Sequence, residues 1–257
     1  MNKPVIIIKT GGQAAENIQA LSHMAQEIKE LSSQYNFIFV HGGGSTVSAI
    51  QREYGIEPVF KEGIRITSEK EMDLVDMGLA GKMNKKLVRL FIKNGVSAAG
   101  ISGADGLTFE GESIADKSCR TGRIIKTNTK LIDTLLSGGF TPILSSVSSD
   151  TEGCALNINA DEAALATGTA CKAEKIIFVS DIPGILNDGK QYSNLNEVQI
   201  NTLIDQKIIN GGMIPKVRSS LEALKKGAGS VVIGDYREFM DLEKLLSGEK
   251  GTKIWLN

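Results

Sequence analysis

Short apolar runs alternate with longer amphipathic stretches along the chain. The runs are mostly β-branched and continuous, which is typical of parallel strands that are buried on both faces. They are Val5–Ile8, Phe37–Val40, Val96–Ile101, Pro142–Leu144, Ile176–Val179 and Val231–Ile233. Apolar residues at helical spacing lie in Glu16–Ser33, Ser45–Tyr54, Met72–Asn94, Thr129–Ser137, Ala160–Ala170 and Val217–Lys226. The alternation predicts an α/β fold, a three-layer α/β/α sandwich around a mostly parallel sheet.

Two stretches interrupt this rhythm. Gly106–Lys126 is rich in Gly, Thr and charged residues, and it indicates the strands and turns of a hairpin. Leu186–Asn196 carries Asn187-Asp188-Gly189, a strong turn signal. Neither stretch is long or polar enough for a flexible linker. We therefore expect a single domain over 1–257, with two lobes of about 1–170 and 171–257.

Charge and composition exclude several classes of function. The formal net charge is -1, so no global field favours a nucleic acid or an anionic membrane, and we expect neither as a partner. No apolar run approaches the roughly 18 residues of a membrane span, and no signal peptide is indicated. The three cysteines are odd in number and far apart. Free thiols of a cytoplasmic protein fit this pattern best.

Two glycine-rich segments follow the first two predicted strands. Lys9-Thr10-Gly11-Gly12 follows the first, and His41-Gly42-Gly43-Gly44-Ser45 follows the second and opens a helix. Ligands of open α/β sheets bind at the carboxyl ends of the strands, and glycine and helix N-termini suit anions. Either segment alone could be a tight turn, but the pair with an adjoining Lys favours phosphate. The chain contains neither the P-loop motif G-x-x-x-x-G-K-[ST] nor a dinucleotide-binding G-x-G-x-x-G that opens a helix after a strand.

Four further segments carry polar side chains near predicted helices or strands. Arg65, in Gly63-Ile64-Arg65-Ile66-Thr67, could clamp a carboxylate or be a solvated surface residue. Asn157-Ile158-Asn159-Ala160-Asp161 has more polar groups than one helix cap requires. Ser180–Leu186 could hold a nucleotide base and ribose or be a plain turn. Asn210–Val217 contains Lys216, which alone would be unremarkable.

Taken in order, these segments resemble the amino acid kinase family, and most closely its acetylglutamate kinase branch. The resemblance runs from Lys9 to Gly251-Thr252-Lys253-Ile254, and it includes Leu79-Ala80-Gly81-Lys82-Met83-Asn84-Lys85 and Gly211–Lys216. It implies transfer of the γ-phosphoryl group of ATP to the side-chain carboxylate of N-acetyl-L-glutamate. The product would be N-acetyl-L-glutamyl 5-phosphate, an intermediate of arginine biosynthesis.

The resemblance also implies catalytic roles. Lys9 and Lys216 would lie on opposite sides of the transferring phosphoryl group, and Asp161 would hold both through ion pairs. Phosphoryl transfer needs mainly alignment and charge stabilisation. Because a carboxylate acceptor is already ionised at neutral pH, no general base is required.

The ligand-binding residues that the resemblance implies fall into two groups. Backbone N–H groups of Gly11, Gly12 and Gly44 would meet the phosphoryl oxygens, and the first lobe would hold the acceptor through Gly43, Gly44, Arg65 and Asn157. The second lobe would bind ATP through Ser180, Asp181, Ile182, Pro183, Gly184, Ile185, Ile208, Ile209, Asn210 and Met213. Mg²⁺ would accompany ATP, held mainly by its phosphates rather than by a protein metal site.

Two alternatives stay open at this point. A relative that acts on carrier-bound aminoadipate or glutamate would need an altered acceptor loop, whereas Gly63–Thr67 looks like the free-substrate form. A non-catalytic amino-acid or nucleotide sensor with this fold would be expected to lack Lys9, Asp161 or Lys216, and all three are present.

Assembly and regulation can be inferred from the same resemblance. Members inhibited by arginine carry an extra N-terminal helix that interlaces dimers into a hexamer. Here four residues precede the first apolar run, and as a helix they would rise only about 6 Å. We therefore expect a two-fold homodimer built from the first lobes, without feedback inhibition by arginine.

Overall fold

The structure is a computed structural model that describes residues 3–61, 64–116 and 118–256. Its strands are β1 (Val5–Thr10), β2 (Asn36–His41), β3 (Val59–Lys61), β4 (Ile64–Ile66), β5 (Ala98–Ser102), β6 (Phe109–Ser113), β7 (Thr121–Thr127), β8 (Thr141–Ser145), β9 (Val147–Ser149), β10 (Ala155–Ile158), β11 (Lys175–Val179), β12 (Leu186–Asn187), β13 (Lys190–Gln191), β14 (Asn194–Leu195), β15 (Val231–Gly234) and β16 (Thr252–Ile254).

The helices alternate with these strands. They are α1 (Ile18–Leu31), α2 (Gly44–Glu53), α3 (Glu69–Asp76), α4 (Asn84–Lys93), α5 (Lys130–Ser137), α6 (Ala160–Ala170), α7 (Glu197–Asp205), α8 (Met213–Lys225) and α9 (Asp241–Ser247). A π-helical segment, Met77–Met83, joins α3 to α4, and short 3-10 turns occupy Gly12–Ala15 and Asp105–Leu107. In the described residues no helix is long and apolar enough to cross a membrane.

The central sheet has the strand order β14-β16-β15-β11-β1-β2-β8-β5. Its neighbouring strands are parallel except for β15 and β16, which run antiparallel. All six predicted strands lie in this sheet, and the predicted α/β class with a mostly parallel sheet is confirmed. The register aligns Thr10 with His41 and His41 with Ser145. The loops that follow β1, β2 and β8 therefore leave the sheet side by side at one edge.

Helices cover both faces of the sheet, as the burial of β1 shows. Ile6, Ile7 and Ile8 are all fully buried. Ile7 packs into a cluster with apolar residues of α6 and α8, whereas Ile6 and Ile8 pack into a second cluster with α1 and α4. Because successive side chains of a strand point to opposite faces, a continuous apolar run can serve two cores.

The predicted helix Met72–Asn94 differs from the observed structure. The chain there forms α3, the π-helical segment and α4 in succession. The start lies at Glu69, because Ser68 and Glu71 form a reciprocal capping box that satisfies the first N–H groups. A π turn adds a residue to the helical ring and breaks the 3.6-residue period. A pattern search for one continuous amphipathic helix cannot detect it.

Other element boundaries also differ from the prediction. The last predicted helix begins at Met213 rather than Val217, and it accommodates Pro215 in its first turn, where a missing N–H costs nothing. The helices α7 and α9 and the strands β14 and β16 were not predicted. The hairpin expected in Gly106–Lys126 is present as β6 and β7, which join β9 and β10 in a small sheet closed on itself.

A buried carboxylate links α1 to α9. Glu27 is 3% exposed, and it accepts hydrogen bonds from the Tyr236 hydroxyl and from the N–H groups of Leu242 and Glu243, the latter at 3.0 and 3.2 Å. Burial raises the pKa of this carboxyl, while the hydrogen bonds act in the opposite direction. Glu27 thereby satisfies N–H groups in the first turn of α9, which have no partner within the helix.

We predict that Glu27→Ala lowers the free energy of unfolding by about 2–4 kcal/mol, because it leaves buried donors without an acceptor. Urea unfolding followed by circular dichroism measures the change. Glu30→Ala, at an exposed position of the same helix, is the matched control and should have little effect. Equal losses in the two variants would contradict the role assigned to Glu27.

Candidate active site

Three charged side chains meet at the carboxyl edge of the sheet. Lys9 lies near the end of β1, Asp161 in the first turn of α6 and Lys216 in the first turn of α8. Lys9 Nζ is 2.6 Å from Asp161 Oδ1, and Lys216 Nζ is 3.3 Å from Asp161 Oδ2. Each carboxylate oxygen thus faces one ammonium group. The ion pairs expected from the sequence are present.

The electrostatics of this cluster favour an anion. Burial acts to raise the pKa of the Asp161 carboxyl, but the charges of Lys9 and Lys216 outweigh it and hold the pKa below its usual value. Asp161 is therefore ionised at neutral pH. Two ammonium groups and one carboxylate leave one net positive charge. Lys216 Nζ also lies 5.1 Å from the centre of the Phe178 ring, a cation–π contact that fixes its direction.

Glycines let the backbone and the charged groups approach each other closely. A Cβ atom on Gly11 would collide with the Lys9 ammonium group. Gly12 has φ of 59°, in the left-handed region that favours glycine, and a Cβ there would lie 3.3 Å from Asp181 Oδ2. A Cβ on Gly43 would lie 2.9 Å from Leu79 Cδ2 on the π-helical segment. Gly12 and Gly43 therefore leave little room for a larger residue, and a Cβ on Gly11 would displace the Lys9 ammonium group, whereas a Cβ on Gly42 or Gly44 would make ordinary contacts.

A cavity of about 250 Å³ opens beside this cluster. Its lining includes the predicted phosphoryl- and acceptor-binding residues Gly11, Gly12, Gly43, Gly44, Arg65 and Asn157, together with the catalytic candidates Lys9 and Asp161. Apolar side chains of Val47, Phe60, Ile64 and Leu79 complete much of the wall. One part of the cavity therefore carries charge and backbone donors, and the rest suits a short apolar or amide-bearing chain.

Arg65 is held at the wall of the cavity by several contacts. Its guanidinium donates from Nη1 to Gln51 Oε1, and from Nη2 to Gly44 O at 2.8 Å and Ser48 Oγ at 2.7 Å. The group also lies 4.6 Å from the centre of the Phe60 ring. Burial lowers the pKa of Arg65 from its usual value, and the charge of Glu71 opposes that shift. The guanidinium remains a cation, since its ordinary pKa is above about 12.

Asn157 lies across the cavity from the glycine segments. It directly precedes Ile158, the last residue of β10, and its Nδ2 donates to Thr67 Oγ1 at 2.9 Å. The neighbouring Asn159 caps α6, because its side chain accepts a hydrogen bond from the N–H of Asp161 at 2.8 Å. The polar cluster in the sequence thus contains both a helix cap and side chains that line the cavity. Gly63, in the segment that carries Arg65, lies outside the described residues.

The predicted nucleotide-binding residues of the second lobe do not line this cavity, although Asp181 approaches its wall at Gly12. The Ser180–Ile185 segment follows β11, and Asn210 lies just before α8. The side chains of Ile185 and Ile209 are buried in the core. Their N–H groups donate to Thr252 Oγ1 at 2.8 Å and to Leu203 O at 3.0 Å, so neither residue offers a side chain or an N–H group to a ligand. Asp181 and Ile182 are exposed. The described residues contain no cluster of three or more His, Cys, Asp or Glu side chains that could hold a metal ion.

Several residues of the site were missed from the sequence. Ser48 and Gln51 lie three residues apart on one face of α2, and both contact Arg65. Gln51 is fully buried, so a polar residue at an inward-facing helix position was the available signal. His41 and Asn84 form a buried hydrogen-bonded pair behind the glycine loop. Nothing in the sequence pattern indicated that contact, because 43 positions separate the two residues.

Comparison with known proteins agrees with this geometry. Residues 4–235 match the model of the amino acid kinase family. The chain belongs to the amino acid kinase family. Two relatives are named acetylglutamate kinase: one from Endomicrobium trichonymphae, 37% identical over 89% of this chain and 92% of its own, and one from Bacillus velezensis, 36% identical over 98% and 97%.

Solved structures share the fold of this family member. A protein of Streptococcus mutans superposes with a TM-score of 0.82 at 29% identity, over 98% of each chain. N-acetylglutamate synthase from Neisseria gonorrhoeae, complexed with coenzyme A and N-acetyl-glutamate, gives 0.83 at 20% identity, over 99% of this chain and 60% of that one. Giardia carbamate kinase gives 0.72 at 14% identity over all of both chains. The last two similarities concern the fold alone.

The lowered pKa of Asp161 predicts a pH-dependent contribution to stability. Its ion pairs stabilise the folded state fully above the ordinary Asp pKa of about 3.9, and this contribution disappears as pH falls through the lower pKa of the folded state. The difference in unfolding free energy between wild type and Asp161→Asn should therefore be largest near about pH 7 and shrink toward about pH 3. Urea unfolding of wild type and Asp161→Asn at both pH values measures this difference, with Asp205→Asn, at an exposed site, as the control. A difference between wild type and Asp161→Asn that does not change with pH would refute the prediction.

Proposed function

We propose that this protein is an acetylglutamate kinase, which transfers the γ-phosphoryl group of ATP to the side-chain carboxylate of N-acetyl-L-glutamate in arginine biosynthesis. The relatives of that name, at 36–37% identity over most of the chain, support the substrate. The observation that carries the proposal is the pair of lysines bridged by Asp161 at one end of a cavity with Arg65 in its wall.

The chemistry follows from charge and alignment. The acceptor carboxylate attacks the γ-phosphorus, the bond to the β–γ bridging oxygen breaks, and the products are N-acetylglutamyl 5-phosphate and ADP. Lys9 and Lys216 offset the negative charge of the phosphoryl group in the transition state, and Asp161 positions both lysines. Backbone N–H groups of Gly11, Gly12 and Gly44 contact the phosphoryl oxygens.

Magnesium enters this proposal as the companion of ATP. The described residues hold no cluster of acidic side chains suited to a metal, and the charge at Lys9, Asp161 and Lys216 is positive overall. A site with this overall positive charge fits a magnesium ion that is coordinated mainly by the nucleotide phosphates. The ion would neutralise charge on those phosphates when bound.

The two lobes divide the substrates in the proposed enzyme. The first, about 1–170, binds N-acetylglutamate through Gly43, Gly44, Arg65 and Asn157, in keeping with their positions around the cavity. The second, about 171–257, binds ATP. Its contacts come from 180–185, 208–210 and Met213, in which Ile185 and Ile209 shape the site from the core rather than through a side chain or an N–H group.

Exposed apolar side chains support a homodimer through the first lobe. Ile92 and Phe140 are 54% and 45% exposed. Ile92 lies in the last turn of α4, the helix that precedes the edge strand β5, and Phe140 directly precedes the neighbouring strand β8. Light scattering on the purified protein should give twice the mass of one chain, and the mass of a monomer or hexamer would refute the dimer.

A cytoplasmic location is also part of the proposal, in keeping with the three free thiols.

An acyl-phosphate trapping assay tests the function. The protein is incubated with ATP, magnesium and hydroxylamine, and hydroxamate and ADP are measured with free N-acetylglutamate, aspartate or carbamate as acceptor. Turnover with N-acetylglutamate alone is the expected result. A carrier-linked kinase would turn over none of these free acceptors unless it is given an amino-acyl carrier, and a sensor would bind ligand without releasing ADP.

For the two lysines, we predict that Lys9→Met and Lys216→Met each lower kcat by roughly 100-fold or more, because each removes a preorganised positive charge. Steady-state kinetics of the folded variants measures the loss. Lys226→Met, at the exposed end of α8, should keep normal turnover. Near-normal kcat in either lysine variant would rule out its proposed role.

Arg65 is expected to act on the acceptor and not on the nucleotide. Arg65→Ala should raise KM for N-acetylglutamate by at least about 10-fold, the usual cost of a lost charge-assisted hydrogen bond, with little change in KM for ATP. Arg65→Lys should not restore binding, since an ammonium group cannot reproduce the planar fork. Arg52→Ala, an exposed neighbour on α2, is the control. A selective loss of ATP affinity would count against this assignment.

A further inference from the structure

The three carbonyls of the glycine loop, Gly42 to Gly44, are each held by a donor from the protein. His41 Nδ1 donates to Gly42 O at 2.8 Å, the N–H of Val47 donates to Gly43 O at 3.0 Å, and Arg65 Nη2 donates to Gly44 O at 2.8 Å. A trans peptide is planar, and its C=O and N–H point in opposite directions. Fixing the Gly42 and Gly43 carbonyls therefore also fixes the directions of the Gly43 and Gly44 N–H groups.

These N–H groups are the part of the loop that remains for a ligand. Gly43 and Gly44 line the cavity, and among the residues that the structure describes no protein acceptor takes the Gly43 N–H. Because Gly42 O points to the imidazole of His41, the Gly43 N–H points away from it. The hydrogen bond from the His41 imidazole to Gly42 O thus sets the direction in which the Gly43 N–H points.

The role of His41 depends on its tautomer, which Asn84 decides. Asn84 is fully buried. Its Nδ2 lies 2.8 Å from Ile143 O, 3.3 Å from Ile101 O and 3.1 Å from His41 Nε2. Carbonyl oxygens only accept hydrogen bonds, so the NH₂ group of Asn84 must face them. The amide nitrogen cannot accept a hydrogen bond, so His41 Nε2 beside it must be unprotonated, which leaves the proton on Nδ1, where Gly42 O accepts it.

Lys85 completes this network from the other side. Its Nζ donates to Asn84 Oδ1 at 3.1 Å and to Gly100 O at 2.9 Å. An ammonium group only donates, so it also requires the amide oxygen of Asn84 to face it. Burial lowers the pKa of His41 to about 4; the hydrogen bond to Gly42 opposes this shift, and the charge of Lys85 adds to it. The imidazole is neutral at physiological pH.

We propose that Asn84 is a positioning residue which, through the tautomer of His41, directs the backbone N–H group of Gly43 toward the bound ligand. Asn84 itself touches no substrate in this assignment. The consequence for substrate binding rests on the proposed function, because Gly43 is assigned there to the acceptor. The tautomer does not depend on that function.

The first test reads the imidazole directly. The chain has two histidines, so long-range ¹H–¹⁵N correlation spectra of ¹⁵N-labelled protein contain two ring patterns, and His23→Gln assigns them. We expect the neutral Nδ1–H tautomer for His41, without titration between about pH 5 and pH 8. An Nε2–H tautomer, or titration near the ordinary His pKa, would overturn the proposal even if no variant can be purified.

The second test changes the donor. Asn84→Asp replaces the NH₂ group with an oxygen of nearly the same shape, which draws a proton onto His41 Nε2 and leaves Ile143 O without its donor. We expect a protonated His41 at neutral pH, in which Nδ1 still donates to Gly42 O, so KM for N-acetylglutamate should stay within about two-fold of the wild-type value. Asn84→Leu removes the partner that fixes Nε2 without charging the ring, and it should raise KM for N-acetylglutamate by at least about 10-fold, with KM for ATP within about two-fold.

Asn94→Asp is the matched control. Asn94 directly follows α4, and its Nδ2 likewise donates to a carbonyl, Leu90 O at 2.8 Å, but its other contacts are Ser22 and Gln26. It should leave the His41 spectrum and both KM values unchanged. An unchanged acceptor KM in Asn84→Leu would overturn the positioning role. If the wild type made no hydroxamate with N-acetylglutamate, the proposed function would fail, while the His41 spectrum would still decide the tautomer.

Discussion

The carboxylate of Asp161 is the interaction on which the site depends. It joins Lys9 from the central strand β1 to Lys216 from α8, two side chains that are 207 positions apart in the chain. Without a negative charge between them, two ammonium groups at this spacing would repel each other in a partly buried setting. The carboxylate allows both to remain charged, and one net positive charge is left at the end of the cavity.

The glycine loop adds fixed dipoles to this charge. Its carbonyls are held by an imidazole, a helix N–H and a guanidinium, so its N–H groups need not reorganise when an anion arrives. Preorganised donors of this kind stabilise a bound anion more than mobile donors do, because they are already oriented when the protein has folded. Arg65 serves both parts, because it holds Gly44 and lies in the wall of the cavity.

Sequence patterns predicted the elements that can be recognised from a short run of consecutive residues. The six central strands were found because each is an apolar run, and the glycine segments because each follows such a run. Elements with weak local signals were missed, among them α7, α9 and the two-residue strand β14. The break of the helix at Met77–Met83 was also missed, because a π turn disturbs the period without a distinctive residue.

The sequence by itself determined the α/β class, the family and the segments that carry Lys9, Gly43, Arg65, Asp161 and Lys216, since order and spacing along the chain contain that information. The tertiary structure alone decided which of these groups touch. The pairing of Asn84 with His41, the support of Arg65 by Gln51 and the burial of Ile185 and Ile209 each depend on how distant segments pack. Hydrogen bonds require atoms within about 3 Å, and that proximity is produced by the packing of helices on the sheet rather than by any local pattern of residues.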